Sequence, residues 1–302
     1  MLDNSFDPAW FIDALSALPE HREVRVAGAS VHLRCWGDER NPGVVLVHGG
    51  GANSAWWDHI APFLSRTHRV VAPDLTGHGD SGHRAVYAID TWADELVATV
   101  DAGAITSPPI VIGHSMGGYV GAALGVRHPE SLSGLVMIDT PLVRDEPQTP
   151  KVRRPPRLYR TAEEIYAKFT LSPAQRVMLP YVGRHVAQES VRQEPGGWTW
   201  KFDPERYFNP LPERAGFGAM LSELRTAAVY LRSEHGLVSD DMARRIDELQ
   251  GHRMPMVELA DSGHHPMMDH PLALVAALRS SLQLHHHADR RAPNTRRAFS
   301  PK

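Results

Sequence analysis

The chain has 302 residues, 42% of them hydrophobic and 22% charged, with a formal net charge of -3. That is enough apolar material for a sizeable core. The near-neutral balance excludes the basic footprint of a nucleic-acid or membrane-surface binder, so a small-molecule partner is expected.

The first twenty residues carry Asp3, Asp7, Asp13 and Glu20 but no Lys or Arg. A secretory leader needs a basic start and an apolar stretch, so none is expected. No apolar run reaches eighteen residues, the length of a membrane span. Cys35 is the single cysteine. It reads as a buried strand residue, it cannot form an internal disulfide, and it fits a reducing cytoplasm.

Residues 1–22 read as an N-terminal extension. Glu23–Ala27 and Val31–Trp36 alternate around Gly28, as an antiparallel hairpin does. Continuous apolar runs follow at Val44–Val47, Arg69–Ala72, Ile110–Ile112, Leu135–Ile138 and Ala227–Leu231, with a weaker one at Met254–Leu259. Such runs mark strands buried on both faces. Helical stretches lie between most of them, at Ala55–Leu64, Thr91–Ala102, Gly118–Arg127, Asp241–Leu249 and Pro271–Leu282. This alternation predicts an α/β fold with a mostly parallel sheet flanked by helices. Ligands of such sheets bind beyond the carboxyl ends of the strands.

One stretch breaks the alternation. Residues 142–215 are rich in Pro and Arg and hold no apolar strand, with short helices predicted at Glu163–Phe169 and Pro173–Leu179. They read as a helical cap inserted between the two parts of the core, residues 23–141 and 216–284. Residues 285–302 are polar and basic, and are expected to be a disordered tail whose three histidines are inert.

The chemistry centres on Ile110–Tyr119, IVIGHSMGGY. Gly113-x-Ser115-x-Gly117 follows an apolar strand and precedes a helix, the setting in which a serine sits on a sharp turn with its Oγ presented to solvent. The backbone N–H of Met116 and the helix dipole then face a developing oxyanion. A serine hydroxyl needs a base. His264, directly after Gly263 beyond the last core strand, is the candidate, with His265 and His270 as rivals. Three glycines in His48-Gly49-Gly50-Gly51-Ala52 leave backbone N–H groups bare, and Gly50 is the candidate second oxyanion donor. No Lys-Ser or Lys-Thr follows to make this loop a phosphate cradle. Neither metal nor cofactor is called for.

These motifs together resemble the α/β-hydrolase superfamily. His48-Gly49, Asp74-x-x-Gly77-His78-Gly79-x-Ser81, Gly113-His114-Ser115-Met116-Gly117-Gly118 and Gly263-His264 occur in the family's order over roughly residues 20 to 284. The resemblance implies an eight-stranded sheet with a cap after strand six, and loop-ordering roles for Asp74 and His78. Many members carry the triad acid after strand seven, but there this chain reads Leu231-Arg232-Ser233-Glu234-His235-Gly236, without the usual aspartate. Asp139, at the tip of strand six, is the expected acid, as in a subset of the family. Glu234 and Asp240 are the alternatives.

The expected activity is hydrolysis of a carboxylic ester or related acyl bond through an acyl-enzyme on a Ser115–His264–Asp139 triad. Amide, lactone and carbon–carbon bond hydrolysis and cofactor-free perhydrolysis stay open, as does a binding role on a retained hydrolase scaffold.

Overall fold

A computed structural model of the chain describes residues 7–141, 157–203 and 216–291. Helix α1 (Ala9–Ser16) precedes the antiparallel hairpin of β1 (Glu20–Val26) and β2 (Ala29–Trp36). Strands β3 (Gly43–Val47), β4 (Arg69–Pro73), β5 (Ile110–His114) and β6 (Gly134–Ile138) follow, with α2 (Ala61–Leu64), α3 (Ile89–Ala102) and α4 (Met116–Arg127) between them. The chain then leaves the sheet. The described part of this insertion holds α5 (Ala162–Tyr166), α6 (Pro180–Glu189) and a separate hairpin of β7 (Val191–Glu194) and β8 (Gly197–Trp200). Helix α7 (Phe217–Glu223) leads back to β9 (Ala228–His235), α8 (Asp240–Leu249), β10 (Met256–Gly263), α9 (Pro266–Asp269) and α10 (Pro271–Arg291).

The main sheet has eight strands in the order β1-β2-β4-β3-β5-β6-β9-β10. The β1–β2 and β2–β4 pairs are antiparallel and the other pairs parallel. Alternate residues of each central strand feed opposite cores, as a two-residue period requires. Val45 and Val47 pack with Leu96, Val120 and Ile246 of α3, α4 and α8. Val44 and Leu46 pack with Phe11, Leu64 and Leu278 of α1, α2 and α10. Every residue of β3, β4, β5 and β6 is buried, the reason these strands read as continuous apolar runs.

The α/β architecture expected from the sequence is present, with four local differences. The expected helix Ala55–Leu64 is two pieces: a 3₁₀ turn at Ser54–Trp57, whose N-terminus is capped by the Asn53 side chain, and α2, with Pro62 in its first turn. Pro173–Leu179 is not helical, and helix begins only at α6, with Pro180 in the first position, where its missing N–H costs nothing. The insertion carries the β7–β8 hairpin beside its helices. Helix α10 runs past Leu282 through His285 to Arg291, into the segment expected to be disordered, and His285 is buried. The rest of that segment, residues 292–302, lies outside the described residues, as do 142–156 and 204–215 of the expected cap.

Candidate active site

Ser115 sits between β5 and α4 at φ +52°, ψ −114°, a conformation that non-glycine residues rarely adopt. Tight packing imposes it. Its N–H donates to the Ile138 carbonyl of β6 at 2.9 Å. A Cβ on Gly113 would overlap the Gly117 carbonyl, and one on Gly117 would overlap the Val47 carbonyl. Both positions therefore demand glycine, and the turn closes only with the Oγ directed away from the sheet.

His264 follows β10, and its Nε2 lies 3.1 Å from the Ser115 Oγ. Its Nδ1 lies 2.6 Å from Oδ2 of Asp139, which caps the end of β6 at φ +42° and is wholly buried. With a carboxylate accepting from Nδ1–H, the Nε2 lone pair faces the serine hydroxyl. Asp139 also accepts from the Leu237 N–H at 2.8 Å, and its own N–H donates to Leu231 of β9 at 2.8 Å. A Cβ on Gly236 would fall within the envelope of the Asp139 carboxylate. The gap in the strand-seven motif is thus the space that the strand-six carboxylate occupies.

The rival acids stand elsewhere. Glu234 is exposed and accepts from the Asp261 N–H at 2.7 Å, and Asp240 is exposed and pairs with Arg232 at 2.5 Å. Among the rival bases, His270 pairs with Asp269 at 3.1 Å. His265 packs its ring against Trp56, with centroids 5.5 Å apart. Burial, reinforced by the neighbouring His264, pulls the His265 pKa down to about 3, so it stays neutral. Burial also holds His114 well below the usual imidazole range, and His114 Nε2–H donates to the His264 carbonyl at 2.8 Å. Ring nitrogens of His114, His264 and His265 lie within 4.8 Å of one another. Both His264 nitrogens are engaged by Ser115 and Asp139, however, and this trio is a packed imidazole cluster around His264 rather than an open ligand set.

The glycine loop after β3 abuts Ser115. A Cβ on Gly49 would stand 3.4 Å from the Ser115 Cβ and 2.8 Å from the His114 Nδ1. Gly50 is exposed next to it, and Met116 is the buried first residue of α4. Buried Asp74 ties this loop to its neighbours. It accepts from the Ser54 N–H at 2.6 Å, the His32 Nδ1 at 2.9 Å and the Asp80 N–H at 2.9 Å. Burial opposes its ionisation, but these bonds prevail, and the carboxyl stays below its usual range.

Sequence reasoning missed Gln175. This insertion side chain accepts from the His265 N–H at 2.9 Å and donates to the Asp269 Oδ2 at 3.1 Å. The same Asp269 oxygen accepts from the Gly263 N–H at 2.7 Å. The loop carrying His264 is therefore held by the core through Asp269 and by the insertion through Gln175. A lone glutamine in a proline-bearing loop gives no sequence signal of this.

Residues 44–278 match the model of the alpha/beta hydrolase family. The chain belongs to this family. Among curated relatives of this alpha/beta hydrolase is Esterase Rv0045c of Mycobacterium tuberculosis, 29% identical over 88% of this chain and 90% of that protein. Lipase LipV of the same organism is 26% identical over 83% and 97%. A solved structure of E-2-(acetamidomethylene)succinate hydrolase superposes with a TM-score of 0.75 at 19% identity, covering 88% of this chain and 99% of that one, a likeness of fold. Among the described residues, no helix is long and apolar enough to cross a membrane.

Proposed function

We propose that the protein hydrolyses carboxylic esters of small molecules through a covalent acyl-enzyme on Ser115. The unbroken chain from the Ser115 Oγ through His264 to Asp139, at 3.1 and 2.6 Å, carries this reading. The relatives named as esterase and lipase over most of their length support the bond class.

His264 Nε2 takes the hydroxyl proton as Oγ attacks the ester carbonyl, while Asp139 stabilises the imidazolium. The oxyanion is met by the N–H groups of Gly50 and Met116, fixed beforehand by the tight turn and the Asp74 network. His264 returns the proton to the departing alkoxide, which leaves as the alcohol. Water, deprotonated by the same nitrogen, then attacks the acyl-enzyme and releases the acid. The products balance as one ester and one water to one acid and one alcohol. The single cysteine, Cys35, fits a reducing compartment such as the cytoplasm, and burial, which pushes its thiol up to about 11, keeps it out of this chemistry.

Purified protein should hydrolyse p-nitrophenyl butyrate and label with a fluorophosphonate. Ser115→Ala should lose both, with the rate falling by about four orders of magnitude or more. Full activity in Ser115→Ala, or a folded wild type that neither turns over esters nor labels, overturns the proposal.

A further inference from the structure

A cavity of about 220 Å³ lies between the glycine loop and the insertion. Its lining includes Gly50, which follows the Gly49 that stands beside Ser115, and His265, which follows His264.

Its walls are aromatic. Trp56 faces Phe169 at 6.2 Å between centroids, Phe169 faces Trp200 at 6.1 Å, and Phe202 lines the same space. The polar lining consists of amide and hydroxyl groups, with the Asn53 amide already donating to Ser190 at 3.1 Å. Two cations line it, and no acid among the described residues does. Lys201 is matched, its Nζ 2.8 Å from Asp80. Lys168 is exposed, just past the end of α5, and among the described residues no carboxylate stands within ion-pairing distance of it.

We infer that this cavity receives one arm of an ester held at Ser115 and selects esters that carry an anionic group several bonds from the scissile carbonyl, with Lys168 as the counter-charge. Taking its chemistry from the ester-hydrolase reading above, the inference adds a substrate class to it. An apolar spacer suits the aromatic walls, and the carboxylate end meets the unmatched ammonium. Because Lys168 is exposed, its attraction is screened by water and salt, and a selectivity of about fivefold is expected rather than an absolute requirement.

The test compares matched esters. Monomethyl adipate carries its charge on the acyl arm and 4-acetoxybutanoate on the alcohol arm. Methyl hexanoate and butyl acetate are their neutral counterparts. The wild type should favour the anionic member of at least one pair by about fivefold in kcat/KM, less so at high salt. Lys168→Met should abolish that preference, and Lys168→Glu should invert it. No preference in either pair, or one that survives in Lys168→Glu, overturns the inference. Calorimetric binding of the same four esters to Ser115→Ala decides the matter without turnover. The anion preference in Kd and its loss with Lys168→Met must appear there too. Failure of the fluorophosphonate label would sink the hydrolase reading, whereas failure of the anion preference alone sinks only the substrate class.

Discussion

In the core, the groups aligned for chemistry stand at strand ends whose backbones are locked by neighbours. Ser115 is held by Ile138 of β6, Asp139 by Leu231 of β9, and His264 directly follows β10. In the insertion, the groups that reach the site come from irregular segments. Gln175 grips the His264 loop, Leu179 N–H donates to Met268 at 2.9 Å, and Gly79 N–H of the Asp74 loop donates to Lys201 at 2.7 Å. The two regions divide the work. On the proposed mechanism the core fixes which atoms react, and the insertion steadies them and shapes what can approach. Core changes should therefore cost orders of magnitude in kcat, and changes in the insertion about one order or less.

The sharpest test of that division is the acid. Asp139→Asn should lower kcat by about four orders of magnitude, because a buried amide cannot stabilise the imidazolium and favours the wrong tautomer. Glu234→Gln, on the exposed side of β9, should stay within about twofold. Parallel p-nitrophenyl butyrate assays of the two variants measure this. A large loss in Glu234→Gln with none in Asp139→Asn would move the acid to the later strand.

Next in size is Gln175. Its removal leaves the buried His265 N–H without its acceptor and lets the His264 loop relax. Gln175→Ala should lower kcat and the fluorophosphonate labelling rate together by about tenfold, with KM within about twofold, as expected when only the placement of the base is disturbed. A merely structural role would lower thermal stability while leaving the labelling rate of the folded protein unchanged. That outcome would place all steadying of the base in the core.

The same division explains what could be read in advance. Buried strands declare themselves by continuous apolar runs. The turn around Ser115 declares itself because glycine is demanded twice within five residues, and His264 because it follows Gly263 at a strand end. Between Asp139 and Glu234 the sequence favours Asp139, because the usual aspartate after strand seven is missing and Gly236 stands close to its place, but nothing in the spacing says which carboxylate is buried. It turns in the structure on Gly236, whose missing side chain leaves room for Asp139. The insertion was the least legible. Pro173–Leu179 has the composition of a short helix, yet its polar groups are spent on the His264 loop instead of a helical ladder. The β7–β8 hairpin is only four residues per strand and half-buried, too short for a periodic signal to stand out.

The smallest effect concerns how acid loosens this packing. His59 is wholly buried, donates from Nε2 to the Met267 carbonyl at 2.7 Å, and has its pKa pulled down to about 4 by burial. His265 is pulled down to about 3. Both would titrate near 6.5 in the unfolded chain. Below that value the unfolded state binds protons that the folded state refuses, so stability rises with pH across this window. The contribution of His59 is complete above about pH 6.5, falls as the pH drops, and is fully lost near its folded value of about 4. The melting temperature should therefore be level above about pH 7 and decline from about pH 6.5 downward. His59→Gln keeps an N–H for Met267 but cannot titrate, so its decline between about pH 6.5 and pH 4 should be shallower than that of the wild type by a few degrees. Identical slopes for the two proteins would mean that His59 is charged in the fold. The hydrogen bond to the Met267 carbonyl would then come from an imidazolium, not from the neutral ring described above.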